Sequence, residues 1–319
     1  MSHAIVEIDV TDAVPFAAPQ RVSTWVFAPE APAARVPLLF CLPGGSYTKA
    51  YWHLKVPGRP GYSFAEHFAA RGMLVVAVDH LGTGESTPHE RAIDLTPDVV
   101  AAANAATFME IVDRARRGTL LPDVGPMTIG PTVGVGHSMG AMLAVFQQSA
   151  HGSFDAIAPL GYGTIGPIIE LGEGIPLPTS ESLMAAAREG LLDGLPPLDR
   201  ETMRHHFYWD DVPRDVIAAD DLTLTNVPGV CGSLSIVPFI ASDHARRVAC
   251  PVFIGLGERD STCDHHDEAR AYASSSDVTL FILERSAHCH NTAGTRHVLW
   301  DRLAGWVTAL ASPNRPHGT

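Results

Sequence analysis

Pro131-Thr132-Val133-Gly134-Val135, then Gly136-His137-Ser138-Met139-Gly140, then Ala141-Met142-Leu143-Ala144-Val145-Phe146-Gln147-Gln148: this run decides the fold. The first five residues are short, apolar and rich in β-branched side chains, the mark of a buried strand. The last eight read as a helix. Between them Gly136 to Gly140 fits G-x-S-x-G, in which a serine sits on a sharp strand-to-helix turn with its hydroxyl projecting above a sheet. Glycines two residues before and two after leave no side chains where strand and helix crowd together. The helix N-terminus directs backbone N–H groups at any oxyanion formed beside the serine. A five-residue match is common by chance, and a packing turn that happens to contain serine is the plain alternative. The strand before and the helix after favour a nucleophile.

At 319 residues, with 46% hydrophobic and 18% charged residues, the chain suits one α/β domain carrying an insertion. A net charge of −13 argues against nucleic acid or an anionic membrane as partner, and mildly against a polyanionic substrate. Met1-Ser2-His3-Ala4-Ile5-Val6-Glu7 has no basic stretch followed by an apolar one, so no signal peptide is expected. No apolar run approaches the ~18 residues of a membrane span; Val36 to Leu42 is only strand-length. Cys41, Cys231, Cys250, Cys263 and Cys289 are odd in number, scattered and without C-x-x-C spacing, which suits reduced thiols in a cytoplasmic protein.

Working outward from the serine, Ile5 to Val10 and Val22 to Ala28 read as an antiparallel edge. Val36 to Leu42 is a buried strand running into Pro43-Gly44-Gly45-Ser46-Tyr47. Phe64 to Arg71 is a helix stopped by Gly72, and Met73 to Val78 a buried strand followed by Asp79-His80-Leu81-Gly82-Thr83-Gly84-Glu85-Ser86. Asp98 to Arg117 is helical, and Phe154 to Leu160 is the next strand. This alternation predicts a mostly parallel, doubly wound sheet with helices on both faces. From Tyr162 to about Ala245 the pattern breaks into Pro- and Gly-rich sequence with short helical pieces at Glu181 to Arg188 and Arg200 to His206. That stretch is too long for a bare connection, so residues 162–245 are expected to form an inserted cap on a core of 1–161 and 246–312. Strands resume at Val252 to Leu256 and Val278 to Leu283. A closing helix, His297 to Leu310, offers Val298, Leu299, Leu303, Trp306, Val307 and Leu310 to the core, and 313–319 is a frayed tail.

A serine hydroxyl needs a base, and that base needs an orienting acid. Gly255-Leu256-Gly257-Glu258-Arg259-Asp260 puts a carboxylate just after one strand, and Ser286-Ala287-His288-Cys289-His290-Asn291 puts a histidine just after the next. The order Ser138, Asp260, His288 matches the serine, acid, histidine order of one hydrolase class. His290 competes with His288 as the base, and Asp264 and Asp267 compete with Asp260.

Taken together these residues resemble the α/β-hydrolase superfamily over nearly the whole chain. The matches are Gly136 to Gly140 as nucleophile elbow, Asp79-x-x-Gly82-x-Gly84-x-Ser86 as the turn after the fourth strand, Gly257-x-x-Asp260 as the acid turn, and Ala287-His288 as the base. The resemblance implies that Ser138 attacks a carbonyl carbon, His288 takes and returns the proton, and Asp260 orients His288. It implies an oxyanion hole from the Met139 N–H and that of Gly45 or Ser46. Pro43 departs from the histidine the family commonly has before the first loop glycine, so that residue's support of the loop is expected to be lost. Asp79 reads as scaffold.

Tyr47, Tyr51 and Trp52 follow the oxyanion loop, and Phe207, Tyr208 and Trp209 cluster in the expected cap. Tyr47, Trp52, Tyr208, Trp209 and the elbow residue His137 are candidates to line a substrate pocket, with ordinary packing as the alternative; His205 and His206 are further candidates for polar contacts. Asp264-His265-His266-Asp267 matches no structural zinc spacing and reads as a solvated helix start, so no metal and no cofactor are expected. The expectation is a serine hydrolase acting on a small or medium uncharged carboxylic ester or lactone. A thioesterase, C–C bond hydrolase or acyltransferase would share the triad, and a non-catalytic receptor would share the fold. The expected partner is a small-molecule substrate, with homodimerisation left open.

Overall fold

Strand β3 (Val36–Leu42) is apolar almost throughout because both of its faces are covered. Leu38, Phe40 and Leu42 enter one core cluster while Leu39 and Cys41 enter another on the opposite face. The neighbouring β4 (Leu74–Val78) divides in the same way, Leu74, Val76 and Val78 to one side and Val75 and Ala77 to the other. The computed structural model describes residues 3–30, 32–166, 177–197 and 199–311. With β1 (His3–Asp9), β2 (Arg21–Phe27), β5 (Ile129–His137), β6 (Ala156–Leu160), β7 (Val252–Gly257) and β8 (Val278–Leu283), these strands form one sheet ordered β1-β2-β4-β3-β5-β6-β7-β8. Only β2 runs antiparallel, to β1 and β4; every pairing from β4 to β8 is parallel.

Helices α1 (Phe64–Ala69), α2 (Pro97–Arg117) and α3 (Met139–His151) follow β3, β4 and β5 as crossovers. α2 shows clear start and stop signals: the Thr96 hydroxyl accepts from the Val99 N–H, Pro97 opens the helix, and Gly118 closes it at φ 72°. Between β6 and β7 lie α4 (Ser180–Arg188), α5 (Arg204–Phe207), α6 (Arg214–Asp221), α7 (Gly229–Leu234) and α8 (Ser242–Arg247), and α9 (Arg296–Leu310) ends the described chain. Three of these helices, α6 to α8, are not apparent in the sequence, and α5 is one turn rather than the whole of Arg200 to His206. The insertion boundary expected at Ala245 falls inside α8, whose Ala241 N-cap and Ala245 pack into the core cluster that α3 shares. α9 buries Leu299, Trp300, Leu303, Ala304 and Val307. Val298, expected in that stripe, is 56% exposed, because the buried pairs at i, i+1 and i+4 turn it away from the sheet. The tail at 313–319 lies outside the described residues. No helix among the described residues is long and apolar enough to cross a membrane.

Candidate active site

Ser138 joins β5 to α3 at φ 54°, ψ −122°, a conformation held by its N–H donating to the Leu160 carbonyl at 2.8 Å. Its hydroxyl caps no helix N–H and is available for other work. The flanking glycines answer to close approach. A Cβ at Gly136 would strike the Gly140 carbonyl, and one at Gly140 would strike the carbonyls of Leu42 and Pro43.

His288 follows β8, and its Nε2 lies 3.0 Å from the Ser138 Oγ. Its Nδ1 lies 2.7 Å from Asp260 Oδ1, in the turn after β7. The carboxylate also accepts the Gly257 N–H at 2.8 Å and the Ser261 N–H at 2.7 Å. Burial alone would raise the Asp260 pKa. The charges of His290 and His288 and the hydrogen bonds both donate outweigh it and hold the carboxyl well below the usual range. A carboxylate on that side makes Nδ1 the donor, so the Nε2 lone pair faces the serine hydroxyl.

The competing residues separate by geometry. His290 reaches the far oxygen of Asp260, Nε2 to Oδ2 at 2.7 Å, and not the serine. Asp264 instead accepts the N–H groups of His266 and Asp267. His265 donates to the Gly257 carbonyl, and among the described residues no group of three or more His, Cys, Asp or Glu side chains could hold a metal. All five cysteines are free thiols.

Met139 opens α3, so its N–H has no intrahelical acceptor. The Gly44-Gly45 loop passes beside it: a Cβ on Gly45 would sit 3.7 Å from Met139 Cβ, and one on Gly44 3.3 Å from Ser138 Cβ. Contrary to expectation, this loop does have a histidine brace. His80, at the end of β4, donates from Nε2 to the Pro43 carbonyl at 3.0 Å, while its Nδ1 accepts from Asn104 Nδ2 at 3.2 Å. Burial lowers the His80 pKa and keeps it in that neutral form. Asp79 accepts the Lys49 N–H and ammonium at 2.7 and 2.5 Å and the Glu85 N–H at 2.9 Å, a scaffold bond set remote from the serine hydroxyl.

A cavity of about 540 Å³ opens on Ser138 and His288, with one wall from the Gly44 to Tyr47 loop and the other from the β6–β7 segment. Tyr47 and His137 line it. Trp52, Tyr208 and Trp209 do not. Trp52 is fully buried against Phe64, Tyr208 donates to Asp220 Oδ2 at 2.8 Å, and Trp209 lies under the Arg259 guanidinium. Their aromatic area satisfies packing instead of facing the cavity. His137 stacks on Tyr51 and donates from Nε2 to the His288 carbonyl at 2.8 Å, and burial holds its pKa well below the ordinary value. His206 lines the cavity and lies 3.1 Å from the Ser261 hydroxyl, which is itself 3.2 Å from His288 Nδ1; His205 points to solvent beside Asp210. Ser261, His80 and Arg200 carry no sequence signal of their role. Ser261 adjoins a recognisable acid and His80 a recognisable turn, but nothing marks Arg200.

An eight-stranded, mostly parallel sheet with a serine on the strand-to-helix turn of its fifth strand is the α/β-hydrolase fold. The chain belongs to the alpha/beta hydrolase family, whose model matches residues 39–297, and it is a hydrolase. No curated protein matches the chain. Among solved structures it is similar to an esterase from Thermogutta terrifontis with malate bound (TM-score 0.64, 14% identity, 96% of this chain and 100% of that one). It is similar to a carboxyl esterase from Bacillus coagulans (0.64, 16%, 97% and 99%) and to a peroxisomal alpha-beta-hydrolase from Saccharomyces cerevisiae (0.62, 14%, 100% and 93%). At these identities the likeness is one of fold.

Proposed function

We propose that the chain is a serine hydrolase that cleaves a small or medium carboxylic ester or lactone through an acyl-enzyme on Ser138. The observation that carries this reading is the unbroken series Ser138 Oγ, His288 Nε2, His288 Nδ1, Asp260 Oδ1, with links of 3.0 and 2.7 Å, opening on a cavity. Ser138 Oγ attacks the carbonyl carbon as His288 Nε2 takes its proton. Asp260 holds the imidazole in the required tautomer and stabilises the imidazolium. The negative oxygen is received by the Met139 N–H and that of Gly45 or Ser46, each donor worth about 3 kcal/mol in the transition state. His288 returns the proton to the leaving alcohol, and water then releases the acid by the same steps.

The described part of the β6–β7 segment ahead of α8 acts as the cap: α5 and the neighbouring Leu192, Arg200 and Val227 supply the cavity wall that faces substrate. The volume falls within the range of small-molecule sites. The esterases among the similar folds agree with ester chemistry. A non-catalytic receptor would have no use for a base poised on the serine and an acid behind it.

The test is hydrolysis of p-nitrophenyl esters of graded acyl length, alongside lactones and thioesters. The wild-type chain turns over short to medium esters, and Ser138→Ala lowers kcat by about 10⁴-fold or more with little change in Tm. Ester cleavage that survives Ser138→Ala overturns the reading.

A further inference from the structure

Arg200 lines the cavity and yet is 9% exposed. Its guanidinium is held between two rings, with Cζ 3.7 Å from the Phe207 centroid and 4.8 Å from that of Tyr47. Nη1 points at the Cys289 sulfur at 3.6 Å, and Nε has no hydrogen-bond partner. No carboxylate among the described residues lies within 4.0 Å of it. Asp220 is close enough to be felt electrostatically; its Oδ2 accepts the hydroxyls of Tyr47 at 2.6 Å and Tyr208 at 2.8 Å, while its buried Oδ1 has no hydrogen-bond partner. The cation is thus fixed in orientation, largely withdrawn from water and balanced by Asp220 only at a distance, so a directly bound anion would supply the acceptors it lacks.

Its place relative to the chemistry is equally specific. The Phe207 ring that holds Arg200 is 5.8 Å from the His288 ring, so one ring width separates the guanidinium from the base. Arg200 is the only Lys or Arg among the described lining residues. A planar guanidinium offers paired N–H donors that match a carboxylate better than any neutral group.

From these observations we infer that Arg200 anchors a carboxylate of the substrate, so that the ester cleaved at Ser138 bears an acid group a few carbons from the scissile carbonyl. This rests on the serine-hydrolase reading and departs from the uncharged substrate expected from the sequence; the net charge of −13 argued only against a polyanion. The overall field is negative and the exposed Asp199 also lines the cavity, but the charged group buried in its wall is the Arg200 cation.

The experiment compares mono-p-nitrophenyl esters of succinate, glutarate and adipate with the same esters methylated at the free acid. The wild type is expected to favour the best acid-bearing ester by about tenfold or more in kcat/KM, the scale of one charge-assisted contact. Arg200→Met should bring that ratio to near one, and Arg200→Lys should restore part of it. A wild-type ratio of one or less overturns the inference, as does a high ratio that persists in Arg200→Met. Should Arg200→Met fail to fold, the wild-type ratio and the lysine variant decide. In parallel, glutarate should raise the Tm of Ser138→Ala and not that of Ser138→Ala/Arg200→Met. If no ester is turned over at all, the hydrolase reading has failed, and this binding arm alone decides the carboxylate site: absence of a glutarate-dependent shift overturns it.

Discussion

The two walls of the cavity are made in different ways. On the sheet side, Ser138 is set by backbone: a strained φ, an N–H to Leu160, and two glycines pressed against carbonyls. On the side contributed by the β6–β7 segment, the lining comes from side chains on short helices and the Pro-rich turns between them, and a polar network of Tyr47, Tyr208, Asp220 and Cys289 fixes their relation to Arg200. Backbone geometry tolerates almost no substitution, whereas a side-chain wall can change residue by residue without moving the sheet. The same fold can therefore keep one chemistry and exchange substrates. The separation is not complete, because the His288 N–H donates to the His206 carbonyl and the Cys289 N–H to the Phe207 carbonyl, so α5 also braces the loop carrying His288.

The largest effect should fall on the sheet side. His288→Ala should lower kcat by about 10⁴-fold or more. His290→Ala should lower it by only about tenfold to a hundredfold, the loss of one charge-assisted hydrogen bond to Asp260, and should cost about 1.5–3 kcal/mol in a urea denaturation. If His290→Ala abolishes activity while His288→Ala leaves it near wild type, the roles are reversed. A smaller effect is expected across the cavity: Leu192→Ala should move KM and the preferred acyl length by about tenfold with kcat nearly kept. A fall in kcat alone for Leu192→Ala would break the distinction between the walls.

A last effect concerns stability and is not confined to the cavity walls. Burial lowers the pKa of His53 and His67 to about 4 and that of His206 to about 3, from an ordinary 6.5. Above pH 6.5 all three are neutral folded or unfolded. Between pH 6.5 and about 4 the unfolded chain takes up protons that the folded chain refuses, so stability is lost as pH falls through that window. Tm measured at pH 7, 5.5 and 4.5 should decline steadily; a flat profile contradicts the buried-neutral assignment.

What was legible in the sequence follows the same division. The elbow, the acid turn and the histidine turn each sit at a strand end, where apolar runs stop and a polar residue stands out; Ser138, Asp260 and His288 could be picked out for that reason. The brace from His80 could not, because it crosses from the end of β4 to β3 and no local pattern reports a contact between strands. α6 and α7 follow Pro213 and Pro228 and span eight and six residues, too short for a helical period to show. Aromatic residues misled: Trp52 and Tyr208 are as large and apolar as pocket residues, and burial alone distinguishes a pocket wall from a packed core. Arg200 sits in Pro196-Pro197-Leu198-Asp199-Arg200, where an arginine reads as ordinary surface.

Labelling with a fluorophosphonate, followed by peptide mapping, reads the nucleophile itself, since that reagent reacts far faster with a serine activated by a base than with an ordinary hydroxyl. One adduct per chain is expected, on Ser138, with labelling suppressed in His288→Ala. A folded wild-type chain that takes up no label at Ser138 would contradict it.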